Sequence, residues 1–416
     1  MKNAQILNLM HKGSLIVNDP VYGFINIPRG LLCQIIEHPW FQRLGRIHQL
    51  GMASVVYPGA QHTRKQHSLG AYHLMEETLK NLVGKGHFIF DSEIEAAEAA
   101  ILLHDVGHGP YSHVLEHEFV KGLSHEEISL AMMEQMNEEF RGELSLAIKI
   151  FKDEYPKHFL HELICSQLDM DRLDYLCRDS FYTGVIEGNI GTARIIKTLD
   201  LVDDRLVVHH KGIYSIENYL MARRLMYWQV YLHKTAVGAE QLLRSALRRA
   251  KCLANSGIEL FATSSLHYFL YNDINAETFF SREESLVRYA DLDDSDIIVS
   301  LKAWSRHSDR VLSLLSSSFI ERRLLKADVY DGALPDGLLD RLRMQTAEKY
   351  SLTNDEIDYF VSVKSIEKEM YTVSSEGIGM LFPNGEVKDV SEVSNIVRSD
   401  NCELSDSKLY VFYPVL

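Results

Sequence analysis

The stretch Ile101 to His113, ILLHDVGHGPYSH, joins the end of an apolar run to a cluster of histidines, glycines, one aspartate and one proline. Upstream, Ser92 and Glu95 have the spacing of a capping box, which satisfies the first free N–H groups of a helix. The glycines and proline of GHGP cannot continue a helix. The sequence therefore predicts a helix that ends inside this stretch, directly before the polar cluster.

His104 and Asp105 would lie in the last turn of that helix, where unpaired carbonyls and the helix dipole favour a cation. A catalytic divalent ion takes several N and O ligands from separate elements and keeps a position open for water or substrate. His67 is a third candidate because it heads an apolar helical ridge, although its position alone fits a structural histidine better. An acidic residue of SQLDMDRLDYLCRDS should be the fourth, and spacing does not choose among Asp169, Asp171, Asp174 and Asp179.

A second pattern in the same segment places polar groups on one helix face. Asp171, Tyr175 and Asp179 recur at intervals of four residues, so two carboxylates and a phenol would point the same way. This arrangement favours a binding site over a solvated acidic run.

Composition excludes several classes of protein. The 416 residues are 46% apolar, but no uninterrupted apolar run approaches the roughly 20 residues that span a bilayer. The first residues lack the pattern of a secretory signal, so we expect a cytoplasmic protein without a membrane span. Five scattered cysteines without CxxC spacing indicate reduced thiols. The net charge of −15 disfavours binding to nucleic-acid backbones, so a polyanionic substrate needs a local basic pocket.

Hydrophobic periodicity predicts a mostly α fold. Residues 13–28 alternate as a short β-hairpin, and helical patterns follow from Gly30 to about residue 320. The tail has two helical segments and a hairpin turn at Pro383-Asn384-Gly385. We expect two domains: residues 1–324, and a small α+β C-terminal module at 325–416 that serves assembly or regulation.

Several motifs together resemble a known family. HSLG, HDVGHGPYSH and DMDRLDYLCRD occur in the order of the H…HD…D signature of HD-domain phosphohydrolases. NDPVYGFI, HPWFQRLGRIHQLG and VYPGAQHTRKQHSLG are similar to the deoxynucleoside triphosphate triphosphohydrolase branch, and the similarity covers roughly residues 15–240. It implies an HD-domain helical core as the catalytic domain at 1–324. It also implies that deoxynucleoside triphosphates are cleaved at the α-phosphorus to deoxynucleoside and inorganic triphosphate.

The resemblance also implies roles for individual residues. The divalent metal, with Mn, Fe, Mg and Zn all open, would be held by His67, His104, Asp105 and Asp171. His108 would be the general acid or a phosphate contact, Glu116 its partner and His125 a second contact. The substrate-binding residues would be Arg64, Arg172, Arg223 and Lys234 at the phosphates, and Gln49, Leu50, Tyr175, Asp179 and Tyr231 near the sugar. A ring of Tyr231 against the sugar would leave no room for a 2′-hydroxyl.

Two other functions fit the sequence. The HD scaffold hosts several reactions, so a phosphomonoesterase or phosphodiesterase acting on another nucleotide is one alternative. A nucleotide-sensing or nucleic-acid-binding regulator with a vestigial site is the other, although none of the four ligands is missing. The resemblance further implies a homo-oligomer, from dimer to tetramer or higher. It also raises a nucleotide activator as a partner, although Gly45 departs from the basic residue that holds such an activator in vertebrate members.

Overall fold

The fold is taken from a computed structural model that describes residues 13–114, 116–368, 371, 377–397 and 406–416. It begins with the predicted hairpin, in which β1 (Leu15–Asp19) and β2 (Gly23–Ile27) pair antiparallel with Leu15 opposite Ile27. Helices follow almost without interruption to residue 320. They are α1 (Leu31–Glu37), α2 (Pro39–Arg43), α3 (Arg64–Gly84), α4 (Asp91–Leu103), α5 (Glu116–Phe119), α6 (His125–Glu139), α7 (Ser145–Phe151), α8 (Phe159–Glu162), α9 (Met170–Thr183), α10 (Thr192–Thr198), α11 (Ile213–Met226), α12 (Lys234–Asn255), α13 (Ser264–Tyr271), α14 (Ala276–Ser281), α15 (Glu283–Asp291), α16 (Asp294–Trp304) and α17 (Arg310–Ile320).

The tail alternates strands and helices. Its elements are β5 (Lys326–Tyr330), α18 (Leu338–Tyr350), α19 (Asn354–Ile357), β6 (Ser362–Lys368), β7 (Gly379–Leu381), β8 (Val387–Asp389), α20 (Val390–Val393) and β9 (Asp406–Tyr413). The antiparallel sheet β5-β9-β6 belongs to the tail alone. The turn at Pro383-Asn384-Gly385 lies between β7 and β8, as predicted, and Gly385 has a φ of 83°. The predicted fold class, mostly α with an N-terminal hairpin and small C-terminal sheets, is confirmed.

One hairpin inside the helical part was not predicted. β3 (Leu199–Val202) and β4 (Arg205–His209) pair antiparallel, and β4 then pairs in parallel with β7 of the tail. The resulting sheet has the order β3-β4-β7-β8. One hydrophobic cluster runs from Ile25 to Phe412, and a smaller cluster around Leu338 belongs to the tail. The division at residue 325 stays a prediction.

Three long helices position the polar cluster. α3 packs against both α4 and α9, and their contact surfaces are buried. α4 begins at Asp91 rather than at the predicted cap Ser92, and Glu93, not Glu95, accepts the hydrogen bond from the Phe90 amide. The helix ends at Leu103, inside the stretch that the sequence indicated, but His104 is its C-cap and Asp105 lies beyond it rather than in the last turn as predicted. Among the described helices, none has both the length and the apolar character needed to cross a membrane.

Candidate metal centre and substrate site

The four predicted metal ligands converge where α3, α4 and α9 meet. His67 lies in the first turn of α3, His104 caps the C-terminus of α4 and Asp105 follows it, and Asp171 lies in the first turn of α9. His67 Nε2 is 3.3 Å from His104 Nε2 and 3.0 Å from Asp171 Oδ1. Asp105 lies opposite, with its oxygens 3.5 Å from His104 Nε2 and 3.7 Å from His67 Nε2.

The separations among His67, His104 and Asp171 fit a single ion, and Asp105 also forms a close group with His108 and His125. Ligand atoms about 2.1 Å from a metal lie about 3.0 Å apart at right angles and about 3.4 Å apart in a tetrahedron. The ring nitrogens also have the required orientation. The carbonyl of Ile101 lies 2.6 Å from His104 Nδ1 and can only accept, so Nδ1 carries the hydrogen and Nε2 points to the site. His67 is held in the same way, with Nδ1 2.8 Å from Asp174 Oδ2.

The structure distinguishes the four aspartates that spacing could not. Asp171 alone faces the two histidines, and its side chain is 30% exposed, so the open side of the centre lies there. Asp169 caps α9 by accepting the Arg172 amide at 2.7 Å. Asp174 lies behind His67, and Asp179 contacts His62 at 2.7 Å. The predicted common face of Asp171 and Asp179 therefore serves two different subsites.

Electrostatics favour a cation at this centre. Burial raises the pKa of Asp171, but hydrogen bonds from His104 and His67 outweigh burial and hold the pKa well below its usual range. Burial lowers the pKa of His67, but Asp171 and Asp174 together raise it to about 10. The imidazole would exchange its Nε2 proton for the metal, so metal binding should release protons.

A second group of histidines lies beside Asp105. His108 Nδ1 is 3.2 Å from Asp105 Oδ1, and the His108 and His125 rings lie 3.9 Å apart between centroids. Burial and the charge of Arg64 lower the pKa of His108 well below its usual range, so the ring is neutral at pH 7. Glu116, the predicted partner, begins α5, but its side chain lies outside the described residues.

Arg64 holds the loop that carries these groups. Its guanidinium contacts the Asp105 carboxylate, and its Nε donates to Ser112 Oγ at 2.7 Å. Tyr111 and Ser112 both have positive φ, 53° and 52°, which is unfavourable for residues other than glycine. The Tyr111 amide donates to Asp294 Oδ1 at 2.8 Å. The loop is therefore fixed from two sides. Arg64, which was predicted to contact a phosphate, contacts the candidate metal ligand Asp105.

Arginines and phenols line the space beside Asp171. Arg172 donates to the Ser166 carbonyl at 2.7 Å, and Arg223 donates to Gln167 Oε1 at 2.9 Å. The Arg223 guanidinium lies 6.0 Å from the Tyr227 ring centroid. Burial is the main influence that raises the pKa of Tyr175, and the charges of Arg172 and Arg223 oppose it, so these groups lie close together. The two arginines supply the local positive charge that the acidic chain otherwise lacks.

The residues predicted near the sugar form a separate polar group. Asp179 accepts a hydrogen bond from the Tyr231 hydroxyl at 2.8 Å and lies 2.7 Å from His62 Nε2. Tyr231 belongs to a π-helical turn, Tyr227–Tyr231, a distortion that is frequent at functional sites. The main-chain N–H of Gln49 donates to the main-chain carbonyl of His62. The side-chain oxygen of Gln49, Oε1, is buried and has no hydrogen-bond partner among the described residues. Leu50 follows it and is half-buried.

Lys234 lies elsewhere. It is the first residue of α12 and is exposed, and it lines a cavity of about 920 Å³ together with Arg322, Lys326 and Lys349. None of the four metal ligands lines that cavity. The turn at His233, whose ring accepts the Thr235 amide, starts α12 here and directs Lys234 toward the tail. None of the other predicted phosphate contacts lines that cavity, and the role of Lys234 at the phosphates stays a prediction.

Three neighbours of the site were not identified from the sequence. His62 stacks on Tyr182 with a centroid distance of 4.4 Å and orients Asp179. Arg178 and Asp19 lie behind Asp174. The spacing of Asp174 and Arg178 at i and i+4 was a usable signal for an ion pair. Nothing in the spacing indicated His62 or Asp19.

Comparison with known proteins agrees with this geometry. The model of the HD domain matches residues 64–179, which include all four candidate ligands, and the model of the HD associated region matches residues 190–265. The chain belongs to the HD-domain phosphohydrolase family.

Individual relatives extend the comparison. The crystal structure of a phosphohydrolase from Bacteroides thetaiotaomicron VPI-5482 is 56% identical, with a TM-score of 0.94 over 97% of this chain and 100% of that chain. The uncharacterized protein YwfO of Bacillus subtilis (strain 168) is 32% identical over 96% of this chain and 92% of its own length. The deoxynucleoside triphosphate triphosphohydrolase SAMHD1 of Gallus gallus is 30% identical, but the match covers 57% of this chain and 45% of that protein.

Proposed function

We propose that this phosphohydrolase cleaves deoxynucleoside triphosphates to deoxynucleoside and inorganic triphosphate with the help of a divalent ion. The observation that carries the proposal is the cluster of His67, His104 and Asp171, with Asp105 beside both histidines and with Arg172, Arg223 and Tyr175 close together nearby. The similarity to the Gallus gallus triphosphohydrolase supports the substrate class.

The ion would be held by these four residues, and Mn, Fe, Mg and Zn all suit two imidazoles with two carboxylates. When bound, it would supply Lewis-acid activation of the α-phosphoryl group and of water. Arg172 and Arg223 would bind the phosphate oxygens, for which a guanidinium fork is well matched. Arg172 directly follows Asp171 and is half-buried, and Arg223 is buried near the same phenol, Tyr175, so the two would hold the triphosphate at the open side of the centre.

His108 would transfer the proton. Hydrolysis forms a bond between water oxygen and the α-phosphorus and breaks the bond from that phosphorus to the 5′ oxygen, which takes up a proton. The ring of His108 is neutral at pH 7 because burial and Arg64 lower its pKa. A bound triphosphate brings several negative charges and would raise that pKa, so the ring would become a proton donor only with substrate present. Glu116 and His125 would assist it.

The sugar would lie against the Tyr231 ring and the Asp179 carboxylate, which are hydrogen-bonded to each other. The Asp179 carboxylate, oriented by His62 and the Tyr231 hydroxyl, would accept a hydrogen bond from the 3′-hydroxyl. Gln49, whose buried Oε1 needs a donor, would contribute from the other side, with Leu50 packed beside it. The Tyr175 and Tyr231 rings contact each other edge to face with centroids 6.0 Å apart, and the deoxyribose would pack against this pair.

We also propose that the enzyme is cytoplasmic and acts as a homo-oligomer, with the C-terminal module in assembly or regulation. A nucleotide activator is a further proposed partner. Light scattering with and without nucleotides tests assembly directly, and a monomer under both conditions would remove this part of the proposal.

Product analysis tests the reaction. Pure protein is incubated with each deoxynucleoside triphosphate and Mn²⁺ or Mg²⁺, and the products are separated by ion-exchange chromatography. Free deoxynucleoside with intact triphosphate is expected. Orthophosphate or a linear nucleotide as product would instead indicate a phosphomonoesterase or phosphodiesterase, and a protein without turnover would favour the sensing regulator.

Two alanine variants test the division of roles. His108→Ala should keep the metal and lose about 10²–10⁴-fold in turnover, the usual contribution of a general acid. Asp105→Ala should lose both metal and turnover. Metal content is measured by mass spectrometry after dialysis. Full activity of His108→Ala would refute its role in proton transfer.

A further inference from the structure

A buried chain of charged groups runs away from the rear of His67. His67 Nδ1 lies 2.8 Å from Asp174 Oδ2. Arg178 donates hydrogen bonds to both oxygens of Asp174, from Nε to Oδ2 at 2.9 Å and from Nη2 to Oδ1 at 3.0 Å. The third nitrogen, Arg178 Nη1, donates to Asp19 Oδ2 at 2.7 Å. The side chains of His67, Asp174 and Arg178 are fully buried, and Asp19 is nearly so. We call these residues the Asp174 chain.

The Asp174 chain joins three separate elements. His67 lies on α3, Asp174 and Arg178 lie on α9, and Asp19 ends β1. Asp19 is fixed in turn, because its Oδ1 accepts the amides of Val21 and Tyr22 in the hairpin turn. The position of a candidate metal ligand is therefore tied to the N-terminal hairpin.

Space for this chain is provided by a glycine. A Cβ added to Gly70 would overlap Asp174 Oδ1 and Arg178 Nη2, so no larger residue fits at that point of α3. Gly70 lies one turn after His67 on the same helix. The close approach of α3 and α9 here therefore serves the contact between Asp174 and the imidazole.

Stability alone does not account for such an arrangement. Replacing buried ion pairs by apolar residues of similar volume is often neutral or stabilising. The reason is that the free energy lost by removing the charges from water is about as large as the free energy gained from their attraction. A buried network of charged groups can instead fix the orientation of a side chain, here that of His67. A carboxylate held on two sides by a guanidinium is purely an acceptor, so His67 Nδ1 must donate to it.

We propose that Asp174 is a positioning residue for the metal ligand His67, and that Arg178 and Asp19 hold Asp174 in place. Asp174 selects the tautomer with the hydrogen on Nδ1, directs Nε2 toward the ion and increases the basicity of the ring. The helix α9 then has two roles at the site. Asp171 is a candidate ligand of the ion, and Asp174 contacts the opposite nitrogen of the candidate ligand His67. This inference rests on the metal site of the proposed function.

Metal affinity distinguishes this role from a merely structural one. The variants are Asp174→Asn, Arg178→Lys and Asp19→Asn. An asparagine cannot accept from both Arg178 nitrogens while also accepting from His67. The matched control is Asp309→Asn, because Asp309 forms a comparable two-sided pair with Arg249 between α17 and α12 and contacts none of the four ligands. The dissociation constant for Mn²⁺ is measured by competition with a chromophoric chelator, and circular dichroism confirms folding at the same temperature.

Loss of such an orienting partner typically weakens metal binding by about 10- to 100-fold, which is the effect expected for Asp174→Asn. Arg178→Lys should weaken binding to a smaller extent, and the double variant should lose no more than Asp174→Asn, because both act through one chain. Asp309→Asn should bind as the wild type does. If Asp174→Asn does not fold, the Asp19→Asn variant tests the proposal in its place. It is expected to bind Mn²⁺ more weakly than the wild type does.

The proposal is overturned if folded Asp174→Asn, or Asp19→Asn in its place, binds Mn²⁺ within twofold of the wild type. It is also overturned if Asp309→Asn weakens binding as much as Asp174→Asn does. A wild type that binds the metal but does not hydrolyse deoxynucleoside triphosphates would refute the proposed reaction and leave the role of Asp174 intact. The two failures are therefore distinguishable.

Discussion

Replacing Arg43 by methionine should destabilise the protein far more than the same replacement at Arg46, although both side chains reach the segment between α15 and α16. Arg43 is fully buried and donates to three main-chain carbonyls, those of Leu292 at 2.7 Å, Val106 at 3.1 Å and His108 at 2.6 Å. Arg46 is 52% exposed, and its guanidinium pairs with the carboxylate of Asp293. The two sites thus differ in burial but not in residue type.

The magnitude follows from what each substitution leaves behind. Methionine fills much of the aliphatic volume of Arg43 but leaves three buried carbonyls without a donor, each at a cost of about 1–3 kcal/mol. Removing the buried charge offsets part of this loss in the free energy of unfolding. Burial already disfavours the charged form of Arg43 and lowers its pKa to about 10. We expect a net loss of about 4 kcal/mol at Arg43. An exposed ion pair contributes about 0–1 kcal/mol, so Arg46→Met should cost little.

Calorimetry measures the difference. With an unfolding entropy of about 2.1 cal/mol/K per residue, 4 kcal/mol corresponds to roughly 5 °C in Tm for a chain of this length, and Arg46→Met to about 1 °C or less. The scans are run with a chelator so that metal binding does not contribute. Since Arg43 also fixes the His108 carbonyl, its replacement should reduce turnover well below Tm. Equal losses of Tm in both variants would refute the reasoning.

The remaining predictions concern pH, substrate choice and packing. Burial, reinforced by a neighbouring carboxylate, raises the pKa of Glu98 from 4.5 to about 8, so the folded state binds the extra proton and stability falls as pH rises across that interval. Glu98→Gln should raise Tm at pH 8 and leave it nearly unchanged at pH 4.5, and equal shifts at both values would contradict this. On the proposed function, Tyr231→Ala should reduce the kcat/KM ratio of dGTP over GTP about tenfold or more while Tyr231→Phe keeps it, and an unchanged ratio in the alanine variant would exclude the ring from sugar selection. Gly70→Ala should lower Tm and metal affinity together, because its methyl group would displace Asp174, and a wild-type affinity would show that the helices can separate at no cost to the site.

Local sequence signals predicted the elements that depend on neighbouring residues. α4 ends at Leu103, four residues before the first glycine of GHGP, and the turn at Pro383-Asn384-Gly385 joins β7 to β8, because main-chain restrictions at glycine and proline act within a few residues. The capping box was placed two residues too far along, since several acidic residues near Asp91 offer similar spacing. The parallel pairing of β4 with β7 was not predicted because the partner strand lies some 170 residues away. The hairpin of β3 and β4 is local, with two residues between its strands, and was missed.

The sequence by itself indicated the four candidate ligands and their order along the chain, through motifs that each occupy one short segment. Spacing did not determine which aspartate of this segment is the candidate ligand, although the family resemblance implied Asp171, because Asp169, Asp171, Asp174 and Asp179 lie within three turns and differ mainly in direction. Only the packing of α9 against α3 decided this, placing Asp171 before the histidines and Asp174 behind His67. The physical reason is that a carboxylate becomes a ligand, a cap or an orienting group according to the partners that distant segments bring within about 3 Å of it.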